Sequence, residues 1–358
     1  MSKEIENRVW DLLKGVTFPG MSRDIVSFGF VDGVQVSEGK VEVGLAISTH
    51  HRDRADQVRD QVEAMLREAE VADEVVVSLH APTPPSSAQD AVAQDPDLIP
   101  EVQHVVAVAS GKGGVGKSTV SANLSIALAQ AGYRVGLLDA DIYGPSMPMM
   151  FGIDEQPLVE RERLIPFEKY GVRLMSLGFV LDDDTPVIWR GPMVMRAVEQ
   201  LLADVEWGPL DYLIVDLPPG TGDAQLTISQ KVPLSGAVIV TTPQDISLID
   251  ARKGLAMFQK VNVPVVGIIE NMSTVICPHC GEATDIFKRG GGERTAELLG
   301  CSFLGRIPLD PAIVEGGDSG EPIVVSQPEG PHADSFRSVA EAVVVEVSKR
   351  QAQKLSIF

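Results

Sequence analysis

Two cysteines, Cys277 and Cys280, stand in the stretch TVICPHCGEA with only Pro278 and His279 between them. That spacing lets both thiols face one metal centre. Soft thiolates select zinc, copper(I) or iron–sulfur clusters, and a tetrahedral zinc or a cubane cluster takes four ligands. The one other cysteine, Cys301, precedes the apolar run SFLGRIPL and is expected to be a small buried residue. His279 lies inside the claw, where its ring tends to point away from the metal. A redox C-x-x-C usually opens a helix, whereas here Gly281 continues a loop. The pair is half of a ligand set.

A second constellation binds phosphate. SGKGGVGKST follows the apolar run Val105–Ala109 and leads into a helical pattern from Lys117. Gly111, Gly116, Lys117 and Ser118 satisfy G-x-x-x-x-G-K-[ST] in the strand–loop–helix setting that the motif requires. The loop, with Gly113, Gly114 and Val115, turns backbone N–H groups inward onto phosphate oxygens, and the helix N-terminus adds its positive dipole end. Lys117 is expected to reach the β- and γ-phosphates and Ser118 to ligate Mg²⁺, with Thr119 next to it in the cradle. ATP with Mg²⁺ is the expected ligand. Lys112 is a further lysine that an ordinary phosphate loop does not need.

Two acids, Asp139 and Asp141, end the apolar run in RVGLLDADIYGPS, where a first switch loop belongs. Asp141 is expected to hold a water on the γ-phosphate; the plainer role for both acids is to cap the loop. Asp216 closes the apolar run of DYLIVDLPPGTGD in the Walker B manner, as a direct or water-mediated Mg²⁺ ligand. Pro218, Pro219, Gly220, Thr221 and Gly222 follow as a second switch, with the Gly220 N–H aimed at the γ-phosphate.

These residues need a frame. Val105–Ala109, Val135–Leu138, Leu213–Val215, Ala237–Val240 and Val265–Ile269 read as fully buried strands. Helical patterns cover about 117–131, 192–204, 247–260, 292–299 and 334–349. Continuous apolar strands separated by helices predict an α/β fold, a mostly parallel sheet with helices on both faces. Ligands in such sheets bind beyond the carboxyl ends of the strands. The stretch TPPSSAQDAVAQDPDLIPE reads as a linker and divides the chain into residues 1–82, a linker at 83–102 and a larger domain at 103–358. The first piece is expected to be a small α+β domain. It has helices near 4–13 and 55–69, a half-buried strand through Val41, Val43, Leu45 and Ile47, and another at 75–79. His50 and His51 are adjacent, with nothing to complete a metal set.

The 358 residues suffice for two domains. Fifty acids against 30 bases give a net charge of −20, which disfavours nucleic acid and anionic lipid as partners. No apolar run reaches the roughly 20 residues of a membrane span. The opening MSKEIENRVW lacks the apolar core of a secretory signal. Three cysteines make no disulfide framework. A cytoplasmic protein is expected, with no nucleic acid and no membrane as partner.

KGGVGKS resembles the deviant phosphate loop of the MinD/ParA superfamily of P-loop NTPases, which includes the nitrogenase iron protein. The resemblance implies that Lys112 reaches across a homodimer interface onto the partner's nucleotide, and that Asn271, in GIIENMS, reads adenine through its amide. A two-fold axis then joins two cysteine pairs into four thiolates, the ligand set of one [4Fe–4S] cluster bridging the subunits. The stretches ASGKGGVGKSTVSANL, LLDADIYGPSMPMMFG, WRGPMV, DYLIVDLPPGTGDAQLT, VTTPQD, ENMSTVICPHCGE, GGGERTAELLG and GRIPLDP run in order from Val106 to about Pro311. Together they closely resemble the Mrp/ApbC family of iron–sulfur carrier ATPases. That resemblance implies a slow ATPase that takes a cluster from a donor scaffold and passes it to apo iron–sulfur proteins. The first 82 residues are similar to the domain many such proteins carry, related to cytosolic iron–sulfur targeting proteins. The cysteine of some of these relatives is absent, so no chemistry is assigned there. The alternatives are a positioning ATPase of the MinD/ParA kind, for which EVSKRQAQKLSIF is a poor membrane anchor, and a dimeric ATPase bridged by zinc on the same thiolates.

Overall fold

The computed structural model describes residues 2–17, 24–26, 30–37, 39–46, 52–69, 71–72, 74–80, 98–142, 144–180, 191–277, 279–280 and 282–355. Most of the expected linker, Ile47, His50, His51, Pro278, Gly281 and the terminal Ser356–Phe358 lie outside the described residues. The chain forms two compact units, Met1–Ser87 with Arg294–Cys301, and Ala88–Glu293 with Ser302–Phe358.

The first unit builds α1 (Ser2–Leu13), β1 (Val31–Ser37), β2 (Lys40–Ala46), α2 (Arg52–Glu68) and β3 (Glu74–His80). β1 pairs antiparallel with β2, and β2 pairs parallel with β3 through the α2 crossover. Val9 and Leu13 of α1, Val41, Val43 and Leu45 of β2, and Val58, Val62 and Leu66 of α2 are buried. The periodicities of 3.6 and 2 in these segments set which side chains turn inward. β1 was not anticipated. Its apolar alternation breaks at Gly33, where the β1–β2 register shifts.

The second unit begins with β4 (Val102–Ala109), α3 (Lys117–Gln130), β5 (Val135–Asp139) and α4 (Met147–Phe151). Next come β6 (Val159–Glu160), β7 (Arg163–Leu164), β8 (Phe167–Lys169) and β9 (Val172–Ser176). Then follow α5 (Gly191–Asp204), β10 (Leu210–Asp216), α6 (Asp223–Lys231), β11 (Gly236–Thr241), α7 (Asp245–Lys260) and β12 (Val265–Glu270). A hairpin of β13 (Val275–Ile276) and β14 (Ala283–Thr284) precedes α8 (Gly291–Leu299), whose residues from Arg294 on are counted with the first unit. The chain closes with β15 (Ser302–Arg306), α9 (Pro311–Asp318), α10 (Ile323–Ser326) and α11 (Pro331–Leu355). β4 starts at Val102 and Ile99 is buried, so order begins earlier than the expected linker end. The Val102 N–H donates to Ile99 and the Leu210 N–H to Glu101, which extends the ladder into that segment.

The main sheet has the order β15-β12-β11-β4-β10-β5-β9-β8, parallel except for the edge strand β8. Every residue of β5 and β11 is buried, which requires cover on both faces. α3, α10 and α11 pack together as one helical layer, and α5, α6 and α7 as another. This is the expected doubly covered α/β sheet. Among the described residues no helix is long and apolar enough to cross a membrane.

Strand register positions the site. Asp216 pairs with Asp139 on β5 and with Val108 on β4. Three neighbouring parallel strands therefore end level, and the loops after β4, β5 and β10 emerge side by side.

Candidate functional site

The loop after β4 is shaped by glycines that accept no substitute. A Cβ on Gly111 would lie 2.2 Å from the backbone of Asp250. Gly116, which caps the N-terminus of α3, has φ +78°, and a Cβ there would lie 2.3 Å from Asn271 Nδ2. Left-handed backbone of this kind favours glycine. The Ser110 hydroxyl donates to the Lys112 carbonyl at 2.9 Å and steadies the turn.

Lys117 is only 6% exposed, and its Nζ lies 2.7 Å from Asp216 Oδ2. Ser118 Oγ donates to the same oxygen at 2.6 Å, and Ser121 Oγ donates to Asp216 Oδ1 at 2.6 Å. A buried carboxylate demands such partners. The sequence points to Lys117 and Ser118 as phosphate and Mg²⁺ groups but not to their contacts with Asp216, and it does not point to Ser121. Its signal is positional, since it follows Ser118 by three residues on α3 and so shares its face. For Lys117 to reach phosphate it must leave Asp216. Gly220 donates its N–H to the Ser110 carbonyl at 2.9 Å, so that bond must open before the N–H can serve a phosphate. Thr119 accepts, through its carbonyl, from Asn123 Nδ2 at 2.9 Å. The Lys112 side chain has no ion-pair partner among the described residues.

Asp139 takes the capping role. Fully buried, it accepts the N–H groups of Asp141, Ser146 and Met147 at 3.1, 3.1 and 3.2 Å, and the Ser176 hydroxyl at 3.0 Å. One carboxylate thus fixes both ends of the loop between β5 and α4. Burial first, and then the charge of Asp216, push its pKa up to about 7. Asp141 lies on this loop and is nearly buried.

Asn271 leaves β12 with its N–H on the Thr241 carbonyl and its Nδ2 on the Val115 carbonyl, both at 2.8 Å. The asparagine therefore braces the phosphate loop with one of its amide hydrogens. The same segment runs on into the β13–β14 hairpin, where the Cys277 N–H donates to the Glu282 carbonyl at 2.9 Å. Cys277 is partly exposed, Cys280 is exposed, and neither forms a disulfide. The Cys280 backbone N–H, then that of His279 and the Cys280 side chain, hold the Cys277 thiol below the usual range. Among the described residues no three His, Cys, Asp or Glu side chains gather as a metal set. Cys301 is partly exposed rather than fully buried, a departure from expectation; its N–H donates to the Ala296 carbonyl at 3.0 Å.

Known proteins resemble this chain over most of its length. Residues 101–344 match the family model described as NUBPL iron-transfer P-loop NTPase, and residues 6–95 that of an iron–sulfur cluster assembly protein. The iron–sulfur cluster carrier protein of Helicobacter pylori is 41% identical over 351 residues, 97% of this chain and 94% of the relative. That of Synechocystis is 44% identical over 346 residues, 95% and 97%. A nucleotide-binding protein from Archaeoglobus fulgidus, solved in complex with ADP, is similar at TM-score 0.59 and 38% identity. That match covers 67% of this chain and 94% of the other. The MinD cell-division ATPase of Pyrococcus furiosus, at TM-score 0.52 and 23% identity over 67% of this chain and 98% of its own, shares the fold. The chain belongs to the family of iron-transfer P-loop NTPases that includes the iron–sulfur cluster carrier proteins.

Proposed function

We propose that the protein is an ATP-hydrolysing carrier that holds an iron–sulfur cluster as cargo and passes it to apo iron–sulfur proteins. The observation that carries this reading is the segment leaving β12. It braces the phosphate loop through Asn271 and then presents an acidified thiol, Cys277, beside the exposed Cys280.

Backbone N–H groups between Gly111 and Ser118 receive the phosphates. Lys117 exchanges Asp216 for the β- and γ-phosphate oxygens, and the freed carboxylate joins the Ser118 hydroxyl as a pair of hard oxygen donors for Mg²⁺. Mg²⁺, when bound, offsets the charge of the β- and γ-phosphates. Asp141 orients the attacking water. Its oxygen bonds to the γ-phosphorus as the bond to the β-phosphate oxygen breaks, giving ADP and phosphate. Lys112 acts across a two-fold axis on the partner subunit's nucleotide, as an arginine finger acts in trans. Asn271 reads adenine.

A monomer offers two thiolates and a cubane cluster takes four ligands. A homodimer supplies the rest, Cys277 and Cys280 from each subunit, with a [4Fe–4S] cluster on the axis. Such a site is open to a donor scaffold and to a recipient, and it responds when the dimer rearranges. Thiols kept free suit a reducing compartment, here the cytoplasm. The domain division at the 83–102 linker leaves the first domain outside this chemistry.

The test is transfer. Protein reconstituted anaerobically with iron and sulfide is mixed with a defined apo ferredoxin, and holo-ferredoxin is followed by circular dichroism. Cluster appearance in the acceptor at a rate that depends on Mg·ATP supports the reading. Retention of zinc alone, with no transferable iron, supports a zinc-bridged dimer and sinks it.

A further inference from the structure

The segment after β12 carries both the asparagine at the phosphate loop and the two cysteines, and both its ends are tied to one buried carboxylate. Glu270, the last residue of β12, has no exposed surface. Its Oε1 accepts the N–H of Gly290 at 3.1 Å, and its Oε2 the N–H of Gly292 at 2.6 Å. Arg306 at the end of β15 approaches the same carboxylate, Nε to Oε1 3.4 Å, and also pairs with Glu293. The Glu270 carbonyl accepts the Ile307 N–H at 2.9 Å. The fit is tight, since a Cβ on Gly292 would lie 2.9 Å from Glu270 Cβ.

A charged residue closing the apolar run VVGII is costly to bury. An aliphatic side chain would serve the strand equally well. The acid does something an aliphatic cannot: it accepts two backbone N–H groups, one on each oxygen, from the returning chain. An amide has one accepting oxygen, and its NH₂ would face the other N–H donor. On the outgoing side the next residue, Asn271, is bonded to Thr241 and to Val115 of the phosphate loop. Farther along, Ser273 donates its N–H to Ile307, and the Leu309 N–H donates to Thr274, so the outgoing chain is stitched to the segment after β15.

We propose that Glu270 is a positioning residue that couples the nucleotide to the thiol pair. By fixing the departing and returning ends of the segment between Asn271 and Arg289, it makes that segment move as one piece. A displacement of the phosphate loop and Asn271 then reaches Cys277 and Cys280 instead of being absorbed at the base of the hairpin. The inference rests on the carrier reading and deepens it. Coupling of this kind is a free energy shared by two sites.

The test uses the full-length protein without cluster. Alkylation rates of Cys277 and Cys280 by N-ethylmaleimide are measured by mass spectrometry with and without Mg·ATP. In the wild type the nucleotide changes the rates by at least about fivefold, the lower end of typical coupling. In Glu270→Gln the ratio falls to within about twofold of one, while ATP affinity stays within about threefold of wild type. Gly292→Ala, which presses on the same carboxylate from the other side, gives the same loss and carries the test if Glu270→Gln does not fold. A wild-type ratio in the variants overturns the proposal, and so does a wild type whose thiols ignore the nucleotide. Iron binding is scored separately: a wild type that holds no iron sinks the carrier reading, whatever the alkylation ratio.

Discussion

Asp216 gathers Lys117, Ser118 and Ser121 on its two oxygens, all within 2.7 Å, and Asp216, Lys117 and Ser121 are buried. Removing one donor from a buried charged acceptor costs about 1–3 kcal/mol. Ser121→Ala is therefore expected to lower stability by that amount in urea unfolding, with nucleotide affinity retained, because the proposed mechanism assigns Mg²⁺ to the Ser118 hydroxyl and not to Ser121. Lys117→Ala is expected to abolish ATP hydrolysis, by at least about 100-fold, the scale seen when a positioned charge-stabilising donor is lost. Asp141→Ala should slow hydrolysis and spare ATP binding; equal turnover in variant and wild type would remove Asp141 from its role. Asp139 gives a pH signature. Its folded pKa of about 7 lies above the value of 3.8 for a free carboxyl, so the folded state binds the proton more tightly. The associated stability is fully present below about pH 4 and is lost as pH rises through about 7. Urea midpoints in magnesium-free buffer should fall over that window, and Asp139→Asn should flatten the slope.

At the scale of elements, the level ends of β4, β10 and β5 bring the phosphate loop, Asp216 and Asp139 together. Those strands were legible because a strand buried on both faces must be apolar throughout. The phosphate loop was legible because only glycines tolerate its turns: Gly116→Ala, with φ +78° and a contact at 2.3 Å to Asn271, is expected to cost more than about 1 kcal/mol and to weaken ATP binding in calorimetry. β6, β7 and β8 escaped notice because they are only two or three residues long and partly or fully exposed, too short for any period to register. α4 and α10 escaped for the same reason of length, at five and four residues. At the candidate site, types and spacing pointed to residues of each motif, but not to their hydrogen-bond partners. Ser176 reaches Asp139 across 37 positions, and Gly292 reaches Glu270 across 22. Such pairs exist only once the sheet brings separate segments together.

For the molecule as a whole, a net charge of −20 disfavours nucleic acid and anionic membranes, leaving protein partners as the expected recipients of the cargo. Asn271 and the cysteine hairpin lie on one chain segment, and Cys277 and Cys280 are two thiols where a cubane cluster takes four ligands. The central claim is therefore that the cargo is shared between two copies of this chain. Native mass spectrometry after anaerobic reconstitution tests it most directly. The account predicts a dimer carrying about four iron and four sulfide, the content of one cubane cluster, and no such cluster in Cys277→Ala or Cys280→Ala, both of which keep some ATPase activity. A monomer that retains a full cluster, or iron that persists in the cysteine variants, would contradict it.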